Sequence, residues 1–217
     1  MSNRWKIIHQ KEQESFCDKT SKGIVLKSAI CGFVAGDGCI TVRKMKSGVH
    51  CELRFYPDDE DMLYKYCDAL KYVYGKDPNV YVKDNVYNVC LTSKTVVENL
   101  LKCGSFGTSD WTVPHSLFSV TGAKEAWLKA FFSSEAYVCS KYIRVQTINI
   151  NGMNEVSKLL HELGIDHRCY DYNSSKSCEA SVKIINIGTK EARRKYFEII
   201  GFWHLNKERK LRESLNL

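Results

Sequence analysis

Hydrophobic and polar positions follow two different periods along the chain. Residues 23–36 are apolar at helical spacing, whereas residues 49–56 alternate strictly, with Cys51, Leu53 and Phe55 on one side and polar residues on the other. The first pattern predicts a helix, and the second predicts a half-buried strand with one polar face. The polar face of such a strand is free to contact a partner.

The same two patterns divide the chain into two halves. Residues 23–103 predict the order helix, strand, strand, helix, strand, strand, helix, with tight turns at residues 47–48 and 84–85. Residues 104–122 are rich in glycine, serine and threonine and predict a linker. Residues 123–205 predict the first order again, which indicates an internal repeat of about a hundred residues.

Two charged segments flank these halves. Residues 1–22 predict either a helix that packs on the outside or a basic arm. Residues 206–217 form a charged tail that predicts an exposed helix, and the pattern assigns no chemistry to it.

Composition narrows the class of protein. Of the 217 residues, 44% are hydrophobic and 26% charged, no apolar run has the length of a membrane span, and the N-terminal stretch lacks the apolar centre of a signal peptide. We therefore expect an intracellular protein without a membrane partner, cytoplasmic in a prokaryote or archaeon, with an organelle as the alternative. The net charge of +7 favours an anionic partner.

The ten cysteines do not predict a metal site. No two of them form a CxxC pair, and the six histidines show no ligand spacing. Most of the cysteines fall at core positions, where a free cysteine acts as a small hydrophobe. Disulfides remain an alternative if the source is a hyperthermophile.

The first helix of each half carries small residues four positions apart. They are Gly32 and Gly36 in the first half and Ala130 and Ser134 in the second. Glycine within a helix costs about 1 kcal/mol relative to alanine, so this pattern needs a reason. Small residues at such spacing form a smooth face, and we expect the two helices to pack on each other through these faces.

An acidic residue ends each of these helices. Asp37 follows Gly36, and Glu135 follows Ser134. A carboxylate at a helix C-terminus meets the negative end of the helix dipole, which is unfavourable. Two such carboxylates at one end of a helix pair favour a divalent metal site, whereas the simpler alternative is two solvated helix ends.

These residues carry a resemblance to a known family. Residues 30–38, "ICGFVAGDG", and residues 128–136, "LKAFFSSEA", resemble two copies of the LAGLIDADG motif. The second copy departs more, since Ala130 replaces a glycine, Ser133 the first acid and Ala136 the closing glycine. Over both halves the chain resembles a single-chain LAGLIDADG homing endonuclease of the archaeal or organellar intron-encoded type.

The resemblance implies a fold and a function. The fold is α+β, with two αββαββα halves related by a pseudo-twofold axis, the motif helices at the interface and the antiparallel sheets forming a DNA-binding saddle. The implied protein is a functional monomer that serves intron homing. It recognises a long asymmetric double-stranded DNA site and hydrolyses both strands with Mg²⁺ (or Mn²⁺), leaving short 3′ overhangs.

The resemblance also implies site residues. Asp37 and Glu135 would be the catalytic metal ligands, assisted by the backbone carbonyls of Gly36 and Ser134. A polar residue after the second strand of each half would position water; in the second half this is Asn149, whereas the first half offers only Tyr56 or Pro57. Family members place a basic residue near the acids, for which Lys141 is the first candidate and Lys44 the second.

The polar faces of the predicted strands supply candidates for DNA contacts. Arginine and lysine pair with guanine edges or phosphates, and glutamine with adenine. A solvated strand face is the alternative for any one of these residues. The candidates are Arg43, His50, Arg54, Lys83, Arg144, Gln146, Arg168 and Lys183, together with Lys44 and Lys46, which fall on the opposite parity.

Two other functions of the same fold remain open. An RNA-splicing maturase would bind its own intron RNA, and a degenerate member would bind DNA without cleaving it. The two acids favour cleavage over both. An unrelated enzyme would need a cofactor fingerprint or a nucleophile with its base, and the sequence shows neither.

Overall fold

The structure is a computed structural model and describes residues 3–46, 48–83, 86–172 and 181–217. Within these ranges eight α-helices and eight strands form two four-stranded antiparallel sheets. Both sheets place their strands in the same order, first, second, fourth and third. The expected α+β architecture is therefore confirmed. No helix in the described part of the chain is long and apolar enough to cross a membrane.

The first half follows the predicted order closely. The predicted turns at residue 47 and residues 84–85 lie outside the described residues. An N-terminal helix precedes the half and lies against its last helix. The elements are α1 (Asn3–Glu14), α2 (Ser21–Ala35), β1 (Gly38–Met45), β2 (Gly48–Phe55), α3 (Glu60–Tyr74), β3 (Asn79–Lys83), β4 (Val86–Thr92) and α4 (Lys94–Leu101).

The second half repeats this order after a connection that contains one 3₁₀ turn (His115–Leu117). Part of its last predicted hairpin, residues 173–180, lies outside the described residues. The elements are α5 (Ala123–Glu135), β5 (Tyr137–Val138), β6 (Ile143–Thr147), α6 (Ile150–Glu162), β7 (Arg168–Tyr172), β8 (Val182–Ile187), α7 (Lys190–Ile199) and α8 (Leu205–Leu215).

Helices α2 and α5 contact each other along their small residues, and we call them the motif helices. A Cβ atom built on Gly32 would lie 2.8 Å from Cβ of Ala130 and would collide with the carbonyl oxygen of Trp127. One built on Gly36 would lie 2.5 Å from Cβ of Ser134. The glycines are therefore required by the close approach of two backbones, as the sequence predicted.

This interface predicts a large effect of a single methyl group. We expect Gly32→Ala to lower the free energy of unfolding by about 1–3 kcal/mol, because the neighbour that must give way is backbone. Gly188→Ala is the matched control, since nothing lies within 4 Å of the added Cβ there. Urea denaturation measures both variants. Equal stability of the two would contradict the tight interface.

The C-terminal tail differs from the expected exposed helix. It is helical, as α8, but Leu211 and Leu215 are buried in the core. Just before α8, the ring of Trp203 stacks on Phe33 of α2 with centroids 5.2 Å apart. The tail is thus part of the packed fold and begins beside the motif helices.

Candidate active site

Two carboxylates lie where the motif helices end. Gly36 terminates α2 and Asp37 follows it, while Glu135 is the last residue of α5. Burial raises the pKa of both carboxyl groups, and the negative charge of Asp37 adds to the rise at Glu135, whose pKa reaches about 7. The structure therefore brings the two predicted acids together, near enough to repel each other.

A lysine that the sequence analysis missed lies at the same place. The ammonium group of Lys207, in α8, donates hydrogen bonds to the carbonyl oxygens of Ser133 (2.6 Å) and Ser134 (2.7 Å). These are among the last carbonyls of α5, which lack partners within the helix. The charge of Lys207 lowers the pKa of both Asp37 and Glu135. The signal was present in the sequence, because Lys207, Leu211 and Leu215 share one helix face.

The loop after β2 adds two further carboxylates. Asp58 and Asp59 lie within ion-pair distance of the buried ring of His204, at 3.6 Å and 3.3 Å. The hydrogen bond from His204 lowers the pKa of Asp58, and the charge of Asp58 in turn raises the pKa of Asp37. Asp59 also caps α3. The sequence does not predict either acid as a site residue, because their proximity to Asp37 depends on how the chain folds.

Two first-half residues lie where the resemblance implies a water-positioning side chain, and Pro57 cannot fill that role. The backbone N–H of Tyr56 donates to the carbonyl oxygen of Asp37 at 3.0 Å, and Pro57 is buried and has no polar side chain. Asp58 is the polar side chain that this loop presents near the acids.

The prediction for Asn149 is wrong. Its side chain is 3% exposed and caps α6, with Oδ1 accepting from the N–H of Gly152 (2.9 Å) and Nδ2 donating to the carbonyl of Trp111 (2.7 Å). Both ends of the amide are thus used by the fold. The resemblance implies a water-positioning residue after the second strand, but β6 stops at Thr147 and Asn149 instead caps the start of α6.

Lys141 lies in the exposed turn between β5 and β6, where its carbonyl oxygen accepts a hydrogen bond from Arg193. The second candidate, Lys44, is exposed on β1 opposite Val49. The lysine whose charge acts on both carboxylates is Lys207. A basic group that acts on both acids therefore lies in the C-terminal helix and is neither Lys141 nor Lys44.

Strand register places most of the predicted DNA contacts on one face of each sheet. In the first sheet, buried Cys51, Leu53 and Phe55 face the helices, and Arg43 lies opposite His50 on the other face. In the second sheet, Asn186 pairs with both Arg144 and Arg168. We call the face of each sheet that points away from the helices its open face. The open faces carry Arg43, His50, Arg54 and Lys83 in the first sheet and Arg144, Gln146 and Arg168 in the second.

Three of the candidate lysines lie elsewhere. Lys183 pairs with Thr147 and Asp171 on the side of buried Val145, and its ammonium lies 3.0 Å from the carboxylate of Asp171. The prediction that it joins the open face is therefore wrong. Lys44 has the opposite parity, as predicted, and Lys46 follows the end of β1.

Glu52 contacts several polar side chains on the open face of the first sheet. Glu52 accepts a 2.7 Å hydrogen bond from Nε of Arg54 and one from the thiol of Cys90 (2.9 Å), and His50 lies 3.4 Å away. The hydrogen bond from Arg54 is the main reason that the pKa of Glu52 falls to about 2. Arg54 is thus held in a defined position. In the second sheet the guanidinium of Arg144 lies over the ring of Tyr142.

The residues at the helix ends suit a hard divalent cation. Carboxylates and carbonyl oxygens are its preferred ligands, and Mg²⁺ commonly uses one or two carboxylates together with waters and phosphate. The hydroxyl of Ser134 is buried and lacks a hydrogen-bond partner among the described residues. The described ranges contain no group of three or more His, Cys, Asp or Glu side chains suited to a metal. Asp37, Glu135 and the carbonyls of Gly36 and Ser134 would therefore hold the ion together with oxygens from water or substrate.

Burial of these acids predicts how stability changes with pH. The folded-state pKa of Glu135 is raised from 4.5 to about 7, so its contribution is complete below pH 4.5 and is lost as the pH rises through 7. In EDTA, we expect Glu135→Gln to gain stability over the wild type between pH 5 and pH 8. The gain is on the order of 3 kcal/mol at most, since one pKa unit is about 1.4 kcal/mol. Urea titrations that show the same difference at both pH values would contradict this.

Comparisons with known proteins show which proteins this chain resembles in sequence and in structure. Residues 123–201 match the LAGLIDADG-like domain family, and a search of curated proteins found no match. The homing endonuclease I-DmoI is similar in structure, with a TM-score of 0.65 and 14% identity over 82% of this chain and 96% of that one. Its complex with DNA and Mn gives a TM-score of 0.64 at 15% identity, over 82% and 97%. The LAGLIDADG homing endonuclease I-LtrWI, bound to target DNA, gives 0.61 at 11% identity, over 88% and 90%. The chain is therefore similar to the LAGLIDADG-like domain over residues 123–201, and its two halves together share the fold of solved LAGLIDADG homing endonucleases.

Proposed function

We propose that this chain is a site-specific homing endonuclease that cleaves double-stranded DNA with a divalent metal, Mg²⁺ or Mn²⁺. The observation that supports this most is the pair Asp37 and Glu135, half-buried at the abutting ends of the motif helices. Asp37 directly precedes β1, and Glu135 precedes β5 by one residue, so each acid leads into a sheet with a basic open face. The similar structure of I-DmoI has been solved with DNA together with Mn, Ca or Mg.

The carboxylates and carbonyls at the helix ends form the catalytic site. Asp37 and Glu135, with the carbonyls of Gly36 and Ser134, hold the metal at the scissile phosphates. The bound metal activates water, neutralises the phosphate and stabilises the leaving 3′ oxygen. Each acid serves mainly one strand, so the pseudosymmetric pair cleaves both and leaves short 3′ overhangs.

The sheets supply recognition. The half of residues 23–103 and the half of residues 123–205 each contact one side of the site through their open faces. Because these faces carry different residues, the two half-sites differ, and one chain reads a long asymmetric sequence as a monomer. Such an enzyme serves the homing of an intron.

Selection from a library of random DNA duplexes tests this function. The chain is allowed to bind in Ca²⁺, bound duplexes are amplified over several rounds, and the enriched sequence is then incubated with Mg²⁺ or Mn²⁺. We expect one asymmetric sequence to be enriched and cut in both strands. Enrichment without cleavage would instead indicate a DNA-binding protein, and binding only to its own intron RNA would indicate a maturase.

A further inference from the structure

The ammonium group of Lys207 hydrogen-bonds to a carbonyl oxygen that is proposed above as a metal ligand. It donates one hydrogen bond to the carbonyl oxygen of Ser133 at 2.6 Å and one to that of Ser134 at 2.7 Å. The carbonyl oxygen of Ser134 is the one proposed as a metal ligand. A carbonyl at a helix C-terminus carries partial negative charge and attracts any cation. Ammonium and divalent metal therefore compete for the same oxygen.

Packing fixes Lys207 at this position. It lies one turn before Leu211, which is fully buried, and two turns before buried Leu215. The N–H of Trp203 donates to the hydroxyl of Ser133 at 2.8 Å. Lys207 is thus held against the end of α5 by the elements on both sides of it and is not a mobile surface lysine.

The surrounding charges are mostly negative. Asp37, Glu135, Asp58 and Asp59 all act on Lys207. His204 faces Asp58 and Asp59 on the other side of the cluster. Among the described residues, Lys207 is the cation whose charge acts on Glu135. An ammonium group here partly neutralises the acid pair without a metal.

We propose that Lys207 is a built-in cation of this site that occupies the α5 side and weakens divalent-metal binding there. This inference rests on the proposed function for the identity of the ligands but concerns metal binding alone. Under it, the α2 side, with Asp37 and the carbonyl of Gly36, binds the divalent ion more tightly. The two halves of a pseudosymmetric site thereby become unequal.

Titration of the DNA-free protein with Mn²⁺ tests this, because the electron paramagnetic resonance signal of unbound Mn²⁺ counts the bound ions. Lys207→Gln keeps a donor for the carbonyls but removes the charge, and we expect it to bind Mn²⁺ on the order of tenfold more tightly, since a unit charge is removed from a partly buried site. Lys207→Met should behave alike, whereas Lys207→Arg should resemble the wild type. Lys210→Met removes one charge from the same helix and is the matched control.

The outcomes separate this inference from the proposed function. Tighter or additional Mn²⁺ binding in Lys207→Gln, but not in Lys210→Met, supports it, provided that adding Asp37→Asn and Glu135→Gln abolishes the gain. Unchanged or weaker Mn²⁺ binding in Lys207→Gln overturns it. Either result is obtained whether or not the chain cleaves DNA, which incubation of the selected duplex with Mg²⁺ or Mn²⁺ decides separately.

Discussion

Asp37→Asn and Glu135→Gln are each expected to slow double-strand cleavage by about a hundredfold or more, since one bound metal supplies several kcal/mol of transition-state stabilisation. Both substitutions keep the shape of the side chain and remove its charge. Asp37 and Glu135 lie at helix ends where burial and the helix dipole disfavour a carboxylate, so the fold does not require the charge. Folding and DNA binding should therefore survive.

A single variant is expected to retain slow nicking of one strand, because each acid serves mainly one phosphate. Strand-specific end labels on the selected duplex distinguish nicking from double-strand cleavage. Gel-shift affinity in Ca²⁺ and the urea midpoint serve as controls for binding and folding. Wild-type cleavage of both strands by either variant would contradict the assignment of that acid.

The affinity for DNA should fall steeply as salt concentration rises. Basic residues that neutralise phosphates release bound counterions, and about six such contacts would lower the affinity by roughly a thousandfold between 50 and 200 mM salt. The open faces carry Arg43, Arg54, Lys83, Arg144 and Arg168, and the chain has a net charge of +7. Fluorescence anisotropy of a labelled duplex in Ca²⁺ measures the slope.

A matched pair of lysines makes this test specific. Lys83→Ala should reduce the slope of log affinity against log salt by about one phosphate contact. Lys183→Ala should leave the slope unchanged, because Lys183 lies on the helix side and is paired with Asp171. A flat salt dependence, or equal effects of the two substitutions, would contradict binding through the open faces.

The fold was predictable because its signals are local and repeated. Helical and alternating periods located the elements, and the side chains of Ser93 and Thr189 cap the starts of α4 and α7. The contact between the motif helices was also predictable, because glycine at Gly32 and Gly36 is costly unless two backbones meet there.

The errors share a physical cause, because they depend on contacts between distant parts of the chain. The charged sequence of residues 206–217 predicts an exposed helix, so Lys207 is not predicted as a site residue. Leu211 and Leu215 are in fact buried in the core and hold α8 in place. Asn149 is predicted as a site residue, but its side-chain amide is hydrogen-bonded to the backbone of Trp111 and Gly152. Lys183 was placed on the wrong face because the parity of β8 depends on its register with β6.

The family match falls on the half whose motif departs more. Residues 123–201 match the LAGLIDADG-like domain even though Ala130 and Ser133 replace motif residues there. Ala130 still satisfies the packing requirement against Gly32, and the hydroxyl of Ser133 accepts from the N–H of Trp203. Helix α5 therefore packs against α2 as the interface requires, although its residues differ from those of the motif.

Cleavage of supercoiled plasmid carrying the selected site tests the central claim most directly. The wild type and the variant Asp37→Asn,Glu135→Gln are compared in Mg²⁺ and in EDTA, with gel electrophoresis separating supercoiled, nicked and linear DNA. We predict that the wild type linearises the plasmid in Mg²⁺ but not in EDTA, and that the variant leaves it supercoiled in both. Linearisation by the variant at the wild-type rate would show that these carboxylates are not the catalytic site.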